Sequence, residues 1–182
     1  PEAMLLPVFQ DVLKKANNLD PKLVEDICVG NVLQPGGGPV TSRMAQLLAG
    51  IPASTALYTV NRQCSSGLQA VATIANQIRS GQIELGIGGG VESMSINSMM
   101  DGVNPDALSD KVFEHEEAQK CLIPMGVTSE NVAEKYGISR EQQDKMACDS
   151  HKKAAHAQKM GWSQAEITPY KTIIKNKDGE ET

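Results

Sequence analysis

The chain has 182 residues, 40% of them hydrophobic but only 3% aromatic, and its 22 acidic and 17 basic residues give a net charge of −5. That size suffices for one domain with an attached subdomain. The acidic balance provides no basic field for nucleic acid or an anionic membrane surface, and no apolar run is long enough to span a bilayer. We therefore predict neither nucleic acid nor membrane as a partner.

The first 95 residues alternate between helical and extended patterns. Spacings of three and four between apolar residues predict helices, and short apolar runs predict strands. The predicted elements are helix 2–17, a short turn capped by Asp20, strand 27–33, a helix capped by Thr41 or Ser42 and ending at Ala49, strand 57–60, a helix from near Cys64 to Ser80, and a strand that opens at Gln82. This order predicts an α/β fold in which helices cover both faces of a parallel sheet, and ligands of such sheets collect at the carboxyl ends of the strands.

The remaining residues have a different character and weaker periodicity. A capping box at Ser139 predicts a long helix. The predicted elements are a loop 97–105, a weak helix 106–119, a helix 129–136 capped by Thr128, the long helix 140–159, and an edge strand 166–174. The chain begins inside a helical pattern and ends just after an Asp-Gly turn signal, so we expect it to be a fragment.

Cys64 lies where the extended run 57–60 meets the helix that follows. A cysteine at a helix N-terminus is placed next to unpaired backbone N–H groups, which favour the nucleophilic thiolate. Most free cysteines are instead small buried residues, so position alone leaves both interpretations open. The four cysteines, Cys28, Cys64, Cys121 and Cys148, are far apart, and their spacing argues against a disulfide framework or a metal site.

Two glycine-rich segments require a choice between phosphate binding and packing. The loop 35–39 lacks the Gly-Lys-Ser/Thr sequence of a P-loop, and the segment 86–90 lacks the third glycine of a dinucleotide-binding turn. Consecutive glycines in a strand more often mean that another backbone or a ligand approaches closely. If this strand neighbours the helix that follows Cys64, its glycines leave room beside the thiol.

A nucleophilic cysteine ordinarily needs a base, and the chain offers three histidines. His115 lies in an acidic run, and His151 and His156 lie on the long polar helix. Nothing in these contexts buries or orients the ring, so we interpret all three as solvated surface residues. If Cys64 is a nucleophile, its base belongs to sequence outside these 182 residues.

Three segments, in order, resemble the thiolases. They are the nucleophile segment 61–70 (NRQCSSGLQA), the glycine-rich strand and following motif 88–95 (GGGVESMS), and the loop-domain segment 124–133 (PMGVTSENVA). The resemblance runs over nearly the whole chain, and segments 61–67 and 121–126 look most like the peroxisomal 3-ketoacyl-CoA thiolases. Such a subunit has two similar halves with a loop domain inserted in the first. The resemblance therefore implies a thiolase fold, with residues 1–95 as the N-terminal domain without its first strand and 96–182 as part of the loop domain.

The resemblance also implies a reaction. Cys64 matches the nucleophile that attacks the 3-keto carbon of a 3-ketoacyl-CoA, releases acetyl-CoA and carries the acyl group as a thioester until coenzyme A accepts it. The backbone N–H of Cys64 would contribute to the oxyanion hole. Met125 matches an apolar residue near the substrate pocket. Coenzyme A is a substrate here, and no other cofactor or metal is expected.

Further expectations follow from the same resemblance. The family's catalytic histidine, its second cysteine and its asparagine motif lie in the C-terminal half, outside this chain, so 182 residues alone are expected to be inactive. Members are dimers or tetramers, and a peroxisomal address commonly precedes the segment present here. Two alternatives remain open: a biosynthetic acetoacetyl-CoA thiolase, and a non-catalytic lipid-carrier or assembly module of the same fold.

Overall fold

A computed structural model describes residues 1–99 and 104–173 of the chain. The described residues divide into two compact units, of which the second is Asn104–Ile167 and the first contains the residues on either side of it. The assignment of 1–95 and 96–182 to two domains of a known family is a separate matter and stays a prediction.

The first unit is built from three helices and three strands within its described residues. They are α1 (Glu2–Lys15), β1 (Asp26–Gly30), α2 (Pro39–Leu48), β2 (Ala56–Val60), α3 (Ser66–Arg79) and β3 (Gly86–Gly90). A 3₁₀ turn, Pro21–Leu23, precedes β1, and Asp20 caps it by accepting from the Lys22 N–H as the sequence predicts.

The three strands form a parallel sheet in the order β2-β1-β3. All five residues of β1 are buried, which agrees with the prediction of a strand covered on both faces. Ile27 and Val29 pack with α1 and α2, whereas Cys28 packs with α3, so the helices cover opposite faces of the sheet. The crossover from β1 to β2 runs one way along the sheet and the crossover from β2 to β3 runs the other way, so right-handed connections place α2 and α3 on opposite faces.

The third strand differs from the prediction at its start. It begins at Gly86, not at Gln82, and its sequence is Gly-Ile-Gly-Gly-Gly. A side chain at Gly88 would meet the Val71 Cα at 2.7 Å, because the backbone of α3 packs directly on this strand. Glycine is therefore required within the strand by close packing, which outweighs its poor intrinsic tendency to form strands.

The start of α2 is also different. Neither Thr41 nor Ser42 is the N-cap, because Gly38, at φ 68°, occupies that place and Pro39 begins the helix. The two hydroxyls donate back to the Gly38 carbonyl, at 3.0 Å from Thr41 and 2.9 Å from Ser42. Proline at the first helical position needs no N–H partner, so a glycine turn followed by proline suffices to begin the helix.

The second unit is helical in its regular structure. Its helices are α4 (Asp110–Glu114), α5 (Glu116–Lys120), α6 (Met125–Tyr136) and α7 (Arg140–Lys159). The predicted weak helix 106–119 is thus divided at His115, and the predicted capping box of α7 is confirmed, with Ser139 accepting from the Gln142 N–H. No helix among the described residues is both long enough and apolar enough to cross a membrane.

Two predictions in this part of the chain are wrong. Helix α6 starts at Met125, and Thr128 lies inside it, where its hydroxyl donates to the Met125 carbonyl at 2.7 Å instead of capping. Residues 167–173 follow the turns after α7 without forming a strand, although Thr168 donates to the Asp11 carboxylate at 2.6 Å. Alternation alone predicted a strand, but pairing requires a partner edge. Ile174, the predicted end of that strand, lies outside the described residues.

Candidate active site

The three strands end together at one edge of the sheet. Gly30 is in register with Val60 on one side and with Gly90 on the other. Residues that follow parallel strands meet at this edge, where ligands of such sheets bind. The segment between β2 and α3, which carries Cys64, lies there as the sequence predicts.

Cys64 is exposed and lies just outside α3. The helix begins two residues later, at Ser66, because Gln63 before the cysteine has φ 50° and cannot belong to a right-handed helix. A positive φ is uncommon for a residue other than glycine, and such strain persists only where neighbouring contacts enforce it. The turn thereby resembles the sharp strand-to-helix turns that expose nucleophiles in other enzymes. The predicted preference for thiolate stays a prediction.

Hydrogen bonds hold the backbone of this turn. The Gln63 N–H donates to the Asn61 Oδ1 at 3.0 Å. The Ser66 hydroxyl, which is buried, accepts from the Arg62 N–H at 2.8 Å and donates to the Gln63 carbonyl at 2.6 Å. Side chains on both sides of Cys64 therefore hold the backbone of the turn that carries its thiol.

The start of α3 lies directly on the sheet. A Cβ on Gly30 would lie 2.3 Å from the Ser66 carbonyl carbon and 2.5 Å from the Gly67 nitrogen, and one on Gly90 would lie 3.2 Å from the Gly67 Cα. The prediction that another backbone approaches the glycine strand is confirmed. The first turn of α3 occupies the space that side chains at Gly30 and Gly90 would need. These two glycines therefore allow the turn that carries Cys64 to lie close to the sheet.

A carboxylate at the same edge was not identified from the sequence as a site residue. Glu92, two residues after β3, accepts from the Val32 N–H at 3.0 Å and from the Leu33 N–H at 3.3 Å through Oε2. Its Oε1 accepts from Asn31 Nδ2 at 3.3 Å, and the same amide donates to the Val91 carbonyl at 2.6 Å. Asn31 and Glu92 lie one and two residues after the observed ends of β1 and β3, but the predicted strand 27–33 placed Asn31 inside a strand, so the sequence prediction missed this cluster.

Cys28 provides a contrast with Cys64 within the same unit. Its side chain is fully buried between the sheet and α3, and burial raises the pKa of its thiol. A thiol reacts with alkylating agents as the exposed thiolate, so Cys28 is expected to be inert in the folded protein.

We expect iodoacetamide at neutral pH to label Cys64 in the native full-length protein at least about 100-fold faster than Cys28, because Cys28 reacts only after local opening. Peptide mapping by mass spectrometry resolves the two sites. Labelling in urea, where both cysteines are accessible, is the control. Similar rates for both in the native protein would contradict the buried position of Cys28.

Met125, the other predicted site residue, lies in the second unit, and so do the three histidines that we interpret as solvated surface residues. Met125 is the first residue of α6 and is 64% exposed; its role near a substrate stays a prediction. His115 caps α5 by accepting from the Ala118 N–H at 3.3 Å, and His156 packs edge-on against Trp162 with ring centroids 5.4 Å apart. His151 is exposed on α7. Within the described ranges, no cluster of three His, Cys, Asp or Glu side chains is placed to hold a metal ion.

Comparison with known families identifies the chain. The family described as "Thiolase, N-terminal domain" matches it over residues 1–182. The chain belongs to the thiolase family. This thiolase chain is 53% identical over 179 residues to the peroxisomal 3-ketoacyl-CoA thiolase of Homo sapiens, a match that covers 98% of the chain and 41% of that relative. It is 50% identical over 177 residues to the peroxisomal 3-ketoacyl-CoA thiolase of Yarrowia lipolytica, covering 97% of the chain and 42% of that relative.

Solved structures agree with the predicted fold. The crystal structure of the dimeric peroxisomal thiolase of Saccharomyces cerevisiae superimposes with a TM-score of 0.83 at 41% identity, covering all of this chain and 46% of that one. A second structure of the yeast peroxisomal 3-ketoacyl-CoA thiolase, described as five layers built from two core domains of identical topology, gives 0.76 at 38% identity. The thiolase chain thus spans about two fifths of the length of the curated relatives that it matches.

Proposed function

We propose that the full-length protein carrying this chain is a 3-ketoacyl-CoA thiolase that uses Cys64 as its nucleophile. The observation that carries the proposal is the exposed Cys64 on a strained turn at the carboxyl ends of three parallel strands. Support for the substrate class comes from the 3-ketoacyl-CoA thiolases that the chain resembles at about half identity.

The proposed reaction has two transfers at one sulfur atom. The Cys64 thiolate adds to the C3 carbonyl of a 3-ketoacyl-CoA, and the C2–C3 bond then breaks. The electron pair leaves on C2, which takes a proton to give acetyl-CoA, and the acyl group stays on Cys64 as a thioester. The thiol of coenzyme A gives up its proton, attacks this thioester and releases an acyl-CoA two carbons shorter, with Cys64 restored.

This chain's own residues have two tasks in that scheme. They aim the sulfur, through the turn between Asn61 and Ser66, and they supply the Cys64 backbone N–H to stabilise the oxyanion at C3. Proton transfer at C2 and at coenzyme A is assigned to the family's histidine and second cysteine in the other half. Coenzyme A is a substrate in this proposal, and no separate cofactor takes part.

The outer face of α3 indicates where that other half packs. Leu68, Val71 and Ile78 lie at spacings of three and seven and are exposed, with Leu68 at 74%. Exposed apolar stripes of this kind mark surfaces that pack against another partner. We propose that the second core domain covers this face, which brings its catalytic residues to the start of α3, where Cys64 lies.

Thiolysis by the purified full-length protein tests the proposal. Incubation with 3-ketoacyl-CoA substrates of four to sixteen carbons and coenzyme A should consume the 3-keto form and produce acetyl-CoA. Activity on long chains supports the assignment. Activity restricted to the four-carbon substrate would favour an acetoacetyl-CoA thiolase instead, and absence of turnover with intact folding would overturn the proposal.

A homodimer is the oligomeric state that we propose. Among the described strands β2 lies at one edge of the sheet, with one backbone edge open for pairing, and a related yeast thiolase is dimeric. The full-length protein is expected to sediment at twice the mass of one subunit in analytical ultracentrifugation at micromolar concentration. A species with the mass of one subunit at this concentration would contradict the dimer, and a species with the mass of four subunits would favour a tetramer.

Peroxisomal residence is part of the same proposal. It rests on the names of the relatives, which are peroxisomal enzymes from human and yeast. Fluorescence of the tagged full-length protein should coincide with a peroxisomal marker in cells, and a diffuse or mitochondrial signal would contradict it.

A further inference from the structure

We infer that Glu92 is a positioning residue for the Cys64 nucleophile and acts through the loop after β1 and the Asn61 side chain. The inference builds on the proposed function. Glu92 follows β3, and Cys64 follows β2. The hydrogen bonds that connect them pass through the loop after β1, which lies between these two strands in the sheet.

The connection begins at the strained residue. Gln63, at φ 50°, is held from both sides, because its carbonyl accepts from the Ser66 hydroxyl and its N–H donates as well. Its acceptor is the Asn61 Oδ1 at 3.0 Å. The other end of the same amide, Nδ2, donates to the Val32 carbonyl at 3.1 Å. Asn61 therefore transmits the position of the post-β1 loop to the residue that precedes Cys64.

Glu92 fixes that loop. One carboxylate oxygen accepts from two successive backbone N–H groups, those of Val32 and Leu33, at 3.0 and 3.3 Å. The other accepts from Asn31 Nδ2, and Asn31 is only 2% exposed. Hydrogen bonds to an ionised acceptor are about twice as strong as neutral ones. The Leu33 N–H and the Val32 carbonyl belong to the same peptide group, so Glu92 and Asn61 bind its two sides.

The three side chains of this connection occupy equivalent positions at the ends of the three strands. Asn31, Asn61 and Glu92 follow the last residues of β1, β2 and β3 by one or two positions. The parallel register holds these three strand ends level, so the side chains cross-link adjacent strand ends above the sheet. We expect a change in this cross-link to shift the turn that carries Cys64, and misplacement of a reacting group by about 1 Å can cost 100-fold in rate.

A matched control lies at the opposite end of the sheet. Glu25 Oε1 also accepts from two successive backbone N–H groups, of Glu84 at 2.6 Å and Leu85 at 3.1 Å. Glu25 precedes β1, whereas Glu92 follows β3. The variants Glu25→Ala and Glu92→Ala therefore remove the same kind of contact from the same sheet, at the amino and carboxyl ends respectively.

The test measures kcat and KM of the full-length protein for thiolysis, together with the alkylation rate of Cys64 and the urea midpoint. We expect Glu92→Ala to lower kcat by about 10- to 100-fold while KM changes less than about threefold. Glu92→Gln keeps an oxygen for the Val32 and Leu33 N–H groups but loses the acceptor for Asn31 Nδ2. It should still recover most of the loss, because the Val32 and Leu33 contacts are the ones that lead to Asn61. Glu25→Ala should leave kcat within about twofold of the wild type.

A double-mutant cycle decides whether Glu92 acts through Asn61. If it does, Glu92→Ala combined with Asn61→Ala is no slower than the slower single variant, within about twofold. Multiplicative losses, or equal losses of kcat in Glu25→Ala and Glu92→Ala at equal urea midpoints, would overturn the inference. If the protein performs no thiolysis, the proposed function fails, and the same cycle on the Cys64 alkylation rate still accepts or rejects the positioning role.

Discussion

Serine in place of cysteine at position 64 should abolish thiolysis by the full-length protein, with kcat at least about 10³-fold lower. A hydroxyl is a far weaker nucleophile than a thiolate near neutral pH, and a residual ester would transfer its acyl group to coenzyme A more slowly than a thioester. Because Cys64 is exposed and no core contact depends on its sulfur, the urea midpoint should stay unchanged.

The matched controls are two other exposed cysteines. Cys121 and Cys148 lie in the second unit and are also free and exposed. Their serine variants should retain activity within about twofold of the wild type, because surface substitutions seldom cost more than about 0.5 kcal/mol. Loss of activity in either variant, or full activity in Cys64→Ser, would remove Cys64 from the proposed mechanism.

Alanine at Gly30 should destabilise the full-length protein by about 2 to 4 kcal/mol, since overpacking a close-packed site commonly costs this much. The added Cβ would meet backbone atoms of Ser66 and Gly67 at 2.3 to 2.5 Å, and backbone cannot rotate away as a side chain can. The first turn of α3 must then lift off the sheet. Because Ser66 holds the turn that carries Cys64, the protein that still folds should also lose activity.

Gly89→Ala is the control for this substitution. Gly89 also lies in a strand of the same sheet, but nothing lies within 4 Å of a Cβ built there. Its urea midpoint and activity should match the wild type, and the same result is expected for Gly89→Ser. A free energy of unfolding for Gly30→Ala within about 0.5 kcal/mol of that for Gly89→Ala would show that α3 is not in contact with β1 as described.

Local signals in the sequence were sufficient for much of the fold. The Ser139 capping box predicted the start of α7, and the Asp20-Pro21 pair predicted the short turn before β1. The alternation of helices and strands predicted the parallel sheet and placed Cys64 at its carboxyl edge. The helix and turn limits depend on contacts between residues a few positions apart, which a sequence pattern records directly. The sheet followed from the order of the elements, because alternating helices and strands favour parallel pairing.

The failures have a common physical cause in contacts between distant residues. Glu92 accepts hydrogen bonds from Val32 and Leu33, which lie about sixty residues earlier in the chain, and no local sequence pattern predicts such a contact. The strand Gly86–Gly90 is paired with β1 and packed under α3, and the apolar pattern alone placed its start four residues too early. The predicted strand 166–174 had suitable alternation, but its described residues have no strand partner. Tertiary packing decides such cases over propensity.

The most direct test of the central claim is the mass of the Cys64 peptide after a single half-reaction. The full-length protein is mixed with a 3-ketoacyl-CoA in the absence of free coenzyme A, quenched in acid and digested. The proposed mechanism predicts one acyl group on Cys64, one equivalent of acetyl-CoA per subunit, and loss of the acyl group when coenzyme A is added. An unmodified Cys64 while acetyl-CoA is released, or an acyl group on Cys121 or Cys148 instead, would contradict it.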